Sequence, residues 1–169
     1  SLVFGSGRAV EEIIALVKET DGDANARRSA FDSLLRSPKP EHFAIARSVI
    51  NDKVLGTAAR LGLAKFADAD VPKSLLTAWP DRSQEWRAAN VTTLASRPAW
   101  AKELLAFIEK HPAAREDITP FHARQLRELE PGGLTRALVA LPSDDGVRRR
   151  DEIGLGLTAP GFATLMALV

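Results

Sequence analysis

Two stretches decide the fold: Asp23-Ala24-Asn25-Ala26-Arg27-Arg28-Ser29-Ala30-Phe31-Asp32-Ser33-Leu34-Leu35, and Gln84-Glu85-Trp86-Arg87-Ala88-Ala89-Asn90-Val91-Thr92-Thr93-Leu94. In the first, Ala30, Phe31, Leu34 and Leu35 lie on one face of a 3.6-residue period, and Trp86, Ala89 and Leu94 form the corresponding face of the second. Residues 52–66 carry the same phrase, a small residue followed five positions later by leucine, and the residues after Thr119 keep its spacing with Phe121 in the first place. Ala30, Ala58, Ala89 and Phe121 make one row and Leu35, Leu63, Leu94 and Leu126 another, with offsets of 28, 31 and 32 residues in both. A small inward residue lets two helices approach closely, and a leucine just over one turn later fills the layer between successive pairs. Periods of this size mark stacked helical hairpins. The expected fold is therefore all-α, an α-solenoid of stacked antiparallel helical hairpins.

Working outward from those stretches, Val10, Ile13, Ile14 and Val17 predict a helix near 9–18, stopped by Asp21-Gly22-Asp23. Ser37-Pro38-Lys39-Pro40 breaks the second helix, and Ile45, Ala46, Val49 and Ile50 place its partner near 41–50. A helix near 52–66 is expected next, then one introduced by Asp70-Val71-Pro72 that carries Leu75, Leu76 and Trp79. Asp81 and Gln84, three apart, suggest a capping box. Pro98 restarts a helix with Trp100, Leu104, Phe107 and Ile108 inward, and His111-Pro112 ends it. Thr119-Pro120 reads as an N-cap followed by proline at the first helical position, opening a helix with Phe121, Leu126 and Leu129 inward. A short last helix would carry Leu134, Ala137, Leu138 and Leu141. The organisation expected is a disordered or linker start over 1–8, a HEAT-like repeat domain over 9–141 and an irregular tail or truncated next element over 142–169.

Composition agrees with helices and says little about chemistry. Of 169 residues, 27 are Ala and 21 Leu, with no Tyr and seven Phe, so helix formers dominate over residues that favour strands. The charge balance, 23 Lys and Arg against 22 Asp and Glu, gives no global field that calls for nucleic acid or an anionic membrane. Without cysteine, these residues supply no thiol nucleophile, thiolate zinc site, iron–sulfur cluster or covalent haem attachment. The opening Ser1-Leu2-Val3-Phe4-Gly5-Ser6-Gly7 has no charged start or long apolar core of a secretory signal, and the expectation is an internal piece of a longer protein.

No constellation of site residues emerges. His42, His111 and His122 show no i, i+3 or i, i+4 pairing for a metal, and each is expected at a helix end or on the surface. Trp79, Trp86 and Trp100, with Arg82, Arg87 and Arg97 close in sequence, have the composition of a base- or sugar-stacking platform. Because all three tryptophans continue apolar stripes, core packing is the stronger reading, with the arginines on exposed helix faces. Asp68 with Asp70, and Glu11 with Glu12, read as turn and surface carboxylates. Ser37 and His42 lack a strand-to-helix nucleophile elbow. Past Arg148-Arg149-Arg150, the 17 uncharged residues Ile153 to Val169 fall short of the roughly 20 needed to span a membrane and contain Pro160. Gly154, Gly156 and Gly161 miss the dinucleotide-binding spacing. The expectation is accordingly no catalytic, cofactor-binding or metal-binding residue, and no membrane span.

Both opening stretches resemble the first helix of HEAT-type repeats, whereas tetratricopeptide repeats would require a tyrosine and a fixed period. Two further phrases are more specific: Leu94-Ala95-Ser96-Arg97-Pro98-Ala99-Trp100-Ala101-Lys102-Glu103-Leu104-Leu105, and Ile118-Thr119-Pro120-Phe121-His122-Ala123-Arg124-Gln125-Leu126-Arg127. Together they make residues 24–141 similar to the helical-repeat region of the large haem-binding, membrane-bound dehydrogenase-like proteins of planctomycetes and verrucomicrobia. The resemblance implies a β-propeller domain before the repeats and a c-type cytochrome domain with Cys-x-x-Cys-His after them, in a periplasmic or cell-envelope setting. It places no cofactor ligand on this chain, and haem would belong to the downstream part of such a parent. The function expected is a non-catalytic spacer and protein-interaction module whose partners are neighbouring domains or another protein. The alternative is a HEAT-like alkyl-purine DNA glycosylase, which would use Trp, Asp and Arg on a concave helical surface; the absence of a concentrated basic stripe speaks against nucleic acid.

Overall fold

A computed structural model describes residues 3–129 together with Val139 and Leu141. Among the described residues every regular element is helical and there is no strand: α1 (Val3–Lys18), α2 (Ala24–Arg36), α3 (His42–Ser48), α4 (Gly56–Gly62), α5 (Val71–Leu76), α6 (Gln84–Leu94), α7 (Pro98–Lys110) and α8 (Pro120–Leu129). Short 3-10 turns occupy Leu63–Lys65, Trp79–Asp81 and Pro112–Asp117. The last expected helix and the tail fall outside the described residues, apart from Val139 and Leu141. Leu141 is buried, and its carbonyl accepts a hydrogen bond from Arg127 Nη2 at 3.1 Å.

Local chemistry explains most boundaries. Asp23 caps α2 by accepting the Ala26 N–H at 2.7 Å, and Thr119 Oγ1 accepts the His122 N–H at the start of α8. Pro72, Pro98 and Pro120 each stand in the first turn of a helix, where the missing N–H costs no intrahelical bond. Several expected boundaries are corrected. Helix α1 opens at Val3, ahead of the start near residue 9, so the segment read as a linker is helical from Val3 onward. The helix placed over 52–66 is α4 followed by a 3-10 turn, because Asp52 holds residues 52–55 in a capping turn. Trp79 is not on α5: Ala78 adopts a left-handed conformation (φ 55°), which breaks the chain between them. Ser83, and not Asp81, caps α6, with its hydroxyl accepting the Trp86 N–H.

The leucine row is buried throughout, with Leu35 at 7% exposure and Leu63, Leu94 and Leu126 at 0%. The small-residue row is not uniform. Ala30 and Ala89 are buried, Ala58 is half-buried beside a fully buried Ala59, and Phe121 is 66% exposed while its neighbours His122 and Ala123 turn inward. Helix α4 packs on α6, and α5 on α7. Close approach is possible at two glycines. A Cβ on Gly62 would lie 2.6 Å from Leu35 Cδ1, and one on Gly56 would lie 2.8 Å from Trp86 Cζ2, with the Ile50 carbonyl at 3.0 Å.

Polar side chains tie together elements about 30 residues apart in the chain. Lys65 Nζ donates to the Leu35 carbonyl (2.8 Å), Thr93 Oγ1 to the Arg60 carbonyl (2.8 Å) and Arg97 Nη2 to the Ala64 carbonyl (3.1 Å), separations of 30, 33 and 33 residues. Two of these bonds satisfy carbonyls at or just beyond a helix C-terminus, which have no intrahelical partner. Thr57 Oγ1 and Glu85 Oε1, 28 residues apart, add a further bond at 2.7 Å.

Candidate functional site

The largest charged contacts lie inside the helical layer. Arg27, at 1% exposure, reaches from α2 to Asp52: Nη2 donates to Oδ2 at 2.7 Å and Nη1 to Oδ1 at 3.2 Å, while Nη2 also donates to the Val17 carbonyl at 3.0 Å. Asp52 meanwhile accepts the Val54 and Leu55 N–H groups at 2.8 and 2.9 Å. One ion pair thus joins α1, α2 and the turn that opens α4. Burial works to raise the Asp52 pKa, but the Arg27 hydrogen bonds, the two N–H groups and the Arg27 charge outweigh it and hold the carboxyl below its usual value.

A cleft of about 580 Å³ opens between the Trp79 turn, α6, α7 and the Pro112–Asp117 turn. Its wall is aromatic: Phe107 lies 5.4 Å from Trp79 and 4.4 Å from His111, ring centre to ring centre. Asp117 sits at the base, accepting Trp79 Nε1–H at 3.0 Å and Arg87 Nε–H at 2.9 Å, and Arg87 also donates to the Arg82 carbonyl. The alternative reading requires Trp, Asp and Arg, and these three types do meet here. Their geometry does not suit a flipped base, since Trp79 is 3% exposed and the Asp117 oxygens are taken by two donors. The carboxylate links the Trp79 turn, α6 and the Pro112–Asp117 turn through these bonds.

The remaining sequence candidates are dispersed. Trp100 is buried, with the Arg97 guanidinium 4.8 Å above its ring, and Trp86 is half-buried beneath Arg60 at 4.3 Å and Arg82 at 5.9 Å. Core packing therefore holds for Trp79 and Trp100 and in part for Trp86. The arginines correct the expectation of an exposed face: Arg82, Arg87 and Arg97 are all half-buried, because each lies against an aromatic ring or an acceptor on another element. His42 is buried, its Nδ1 facing the Lys39 N–H at 3.3 Å, and His111 is exposed on the cleft. His122 is 8% exposed between Thr92 Oγ1 (3.1 Å from Nε2) and Thr119 Oγ1 (3.0 Å from Nδ1). The Thr92 hydroxyl spends its proton on the Ala88 carbonyl, which assigns the ring proton to Nε2 and leaves Nδ1 as acceptor. Burial lowers the His122 pKa. Asp70 bonds through its N–H to Asp68 and pairs loosely with Arg47 at 3.5 Å, both at the surface.

Sequence reasoning missed the buried cations. Arg60 is 1% exposed, and only its Nη2 finds a partner, Asn51 Oδ1 at 3.3 Å; Nε and Nη1 have no acceptor. Burial, and then the Arg82 charge, pulls its pKa down to about 10, so it remains a cation at neutral pH. A signal existed in the first quoted stretch, where Arg27 sits three residues before Ala30 on the same helical face. Among the described residues no group of three or more His, Asp or Glu side chains is arranged to hold a metal ion, and no helix is long and apolar enough to cross a membrane.

A second concavity runs between α2 and α4. Two hollows of about 550 and 470 Å³ share Asp32, Ala58 and Leu61 and extend from Arg28 and Trp86 at one end to Arg36 and Lys65 at the other. Leu61 is 42% exposed at its centre.

Comparisons with known proteins are sparse. No protein-family model matches the chain, and no solved structure matches it. Over 53 residues, 31% of this chain, it is 49% identical to the NAD-specific glutamate dehydrogenase of Mycobacterium tuberculosis. The match spans 3% of that protein.

Proposed function

We propose that this chain is a non-catalytic helical-repeat module, a HEAT-like solenoid that spaces neighbouring domains and offers a surface to a protein partner. The observation that carries the reading is the ladder of side-chain bonds between residues 28 to 33 apart, close to the offsets of the leucine row. Bonds at one repeat period are what a stack of similar hairpins requires, each pair holding its neighbour. The packing of α4 on α6 and of α5 on α7 supports the same arrangement. The polar groups inside the molecule act as links: Asp52 accepts from Arg27 and two backbone N–H groups, and Asp117 from Trp79 and Arg87.

The parent we propose is a larger haem-containing dehydrogenase-like protein of the cell envelope, on the strength of the helix-start phrases at 94–105 and 118–127. The short match to a glutamate dehydrogenase covers too little of that protein to carry its activity here. The test is turnover by the purified chain. The spacer reading predicts no oxidation of alcohols or sugars with added electron acceptors, and turnover without other domains would overturn it. The DNA glycosylase alternative predicts steeply salt-dependent binding to duplex DNA in a gel shift, and its absence removes that reading.

A further inference from the structure

We infer that His122 is an acid-sensitive fastening of α8 onto the helical stack: uptake of one proton by its ring undocks α8 from α6 and α7. The inference goes beyond the spacer reading and stands whichever parent protein the chain belongs to. The ring bridges two elements. Its Nε2 lies 3.1 Å from Thr92 Oγ1 on α6, and its Nδ1 lies 3.0 Å from Thr119 Oγ1, whose oxygen also caps α8 by accepting the His122 N–H. The order of hydrogen bonds fits the neutral ring, with Nε2–H donating to Thr92 and Nδ1 accepting from the Thr119 hydroxyl. On the same helix, Ala123 and Leu126 are buried. One face of α8 thus carries both the imidazole and the apolar contacts that hold the helix in place.

No neighbouring charge compensates an imidazolium at this place. Among the described residues no carboxylate lies within ion-pair distance of His122. On α6, Glu85 is engaged by Thr57 and Arg87 by Asp117. On α7, Lys102, Glu103, Glu109 and Lys110 are exposed, as are Arg124 and Glu128 on α8, while Arg127 bonds to the Leu141 carbonyl. In the turn before Thr119, Arg115 is half-buried, Glu116 is exposed, and Asp117 holds Trp79 and Arg87. A proton on Nδ1 therefore creates a cation that is 8% exposed, in the first turn of a helix of 10 residues. Burial and the positive end of the helix dipole both oppose it there, and the Thr119 hydroxyl must turn its own proton away from the ring. Burial accordingly holds the ring's pKa below its usual value. The docked helix is favoured while the ring is neutral, and it loses ground as pH falls through 6.5, where an undocked imidazole takes up its proton.

Hydrogen exchange of the full chain, resolved helix by helix at about pH 7 and about pH 5 and corrected for the intrinsic rate of exchange, tests the inference. Exchange in α8 should rise about tenfold at the lower pH while α2 and α4 keep their protection. The rise should be absent in His122→Gln, whose side chain is neutral at both values. Ring-proton resonances of His122 in the unaltered chain give a second readout that does not depend on the variant folding: its titration should coincide with the loss of protection in α8. Protection in α8 that is the same at both pH values, an equal rise in every helix, or a rise that persists in His122→Gln would overturn the proposal. So would a ring that takes up its proton while α8 stays protected.

Discussion

Replacing Asp52 with alanine should destabilise the chain more than any other single exposed or half-buried substitution among the ion pairs. The carboxylate makes two contacts to the Arg27 guanidinium and two to backbone N–H groups. Its loss leaves a cation whose side chain is 2% exposed with the Val17 carbonyl alone. Breaking a buried pair in this way costs about 3–5 kcal/mol, and the lost cap about 0.5–2 kcal/mol. An open hollow lined by both residues lets water approach the guanidinium, which favours the lower end of each range. The expected total is about 4 kcal/mol, or about 8–16 °C in melting temperature for a chain of this size. Asp52→Asn keeps one oxygen for the Val54 and Leu55 N–H groups but loses the charge and the acceptor for Arg27 Nη2, and should cost less than Asp52→Ala. Arg27→Met combined with Asp52→Ala removes the stranded cation and should recover about 2 kcal/mol of the loss. Urea unfolding followed by circular dichroism at several temperatures measures all four proteins. An Asp52→Ala variant within about 1 kcal/mol of the parent, or a double variant no more stable than the single one, would refute the reasoning.

Further outcomes follow from the same contacts. Leu63→Ala empties a site of 0% exposure and should cost about 2–5 kcal/mol in the same unfolding assay. Arg87→Ala should cost about 1–3 kcal/mol, because it removes a donor from Asp117, whose side chain is 8% exposed; an exposed arginine there would have cost little. His122 has a folded pKa below its unfolded value of 6.5, so the unfolded chain takes up the proton first, and stability should decline as pH falls from 6.5 toward the folded value. Protonation at Nδ1 also ends its role as acceptor toward Thr119. Melting curves across that window should flatten in His122→Gln, and an equal slope in both proteins would contradict the assignment.

The leucine row was legible because burying a large apolar side chain dominates local packing, and Leu35, Leu63, Leu94 and Leu126 all lie inside. The row of small residues was less so. Phe121 continues the spacing, but α8 begins at Pro120 and places its buried face on His122, Ala123 and Leu126 instead. A large side chain in the first turn sits at the edge of the layer, where periodicity has the least hold. The ion pairs were hidden for a different reason. Arg27 with Asp52, and Arg87 with Asp117, are 25 and 30 residues apart, and local patterns carry no information on which distant partner meets an arginine. Arg87 looked like a surface residue because it falls off the Trp86, Ala89 and Leu94 stripe, while Asp117, which covers it, comes from the 3-10 turn after α7. The cleft at Trp79 depended likewise on the left-handed Ala78, a conformation that alanine gives no cue to.

The central claim is that each helical pair touches only its neighbours, and methyl-to-methyl nuclear Overhauser contacts in protein labelled at leucine, valine and alanine methyls test it most directly. A stack predicts cross-peaks between pairs adjacent along the chain, such as those joining α4 with α6 and α5 with α7, and none between Leu35 and Leu126. Cross-peaks between Leu35 and Leu126 would show a closed bundle around a shared core and contradict the solenoid.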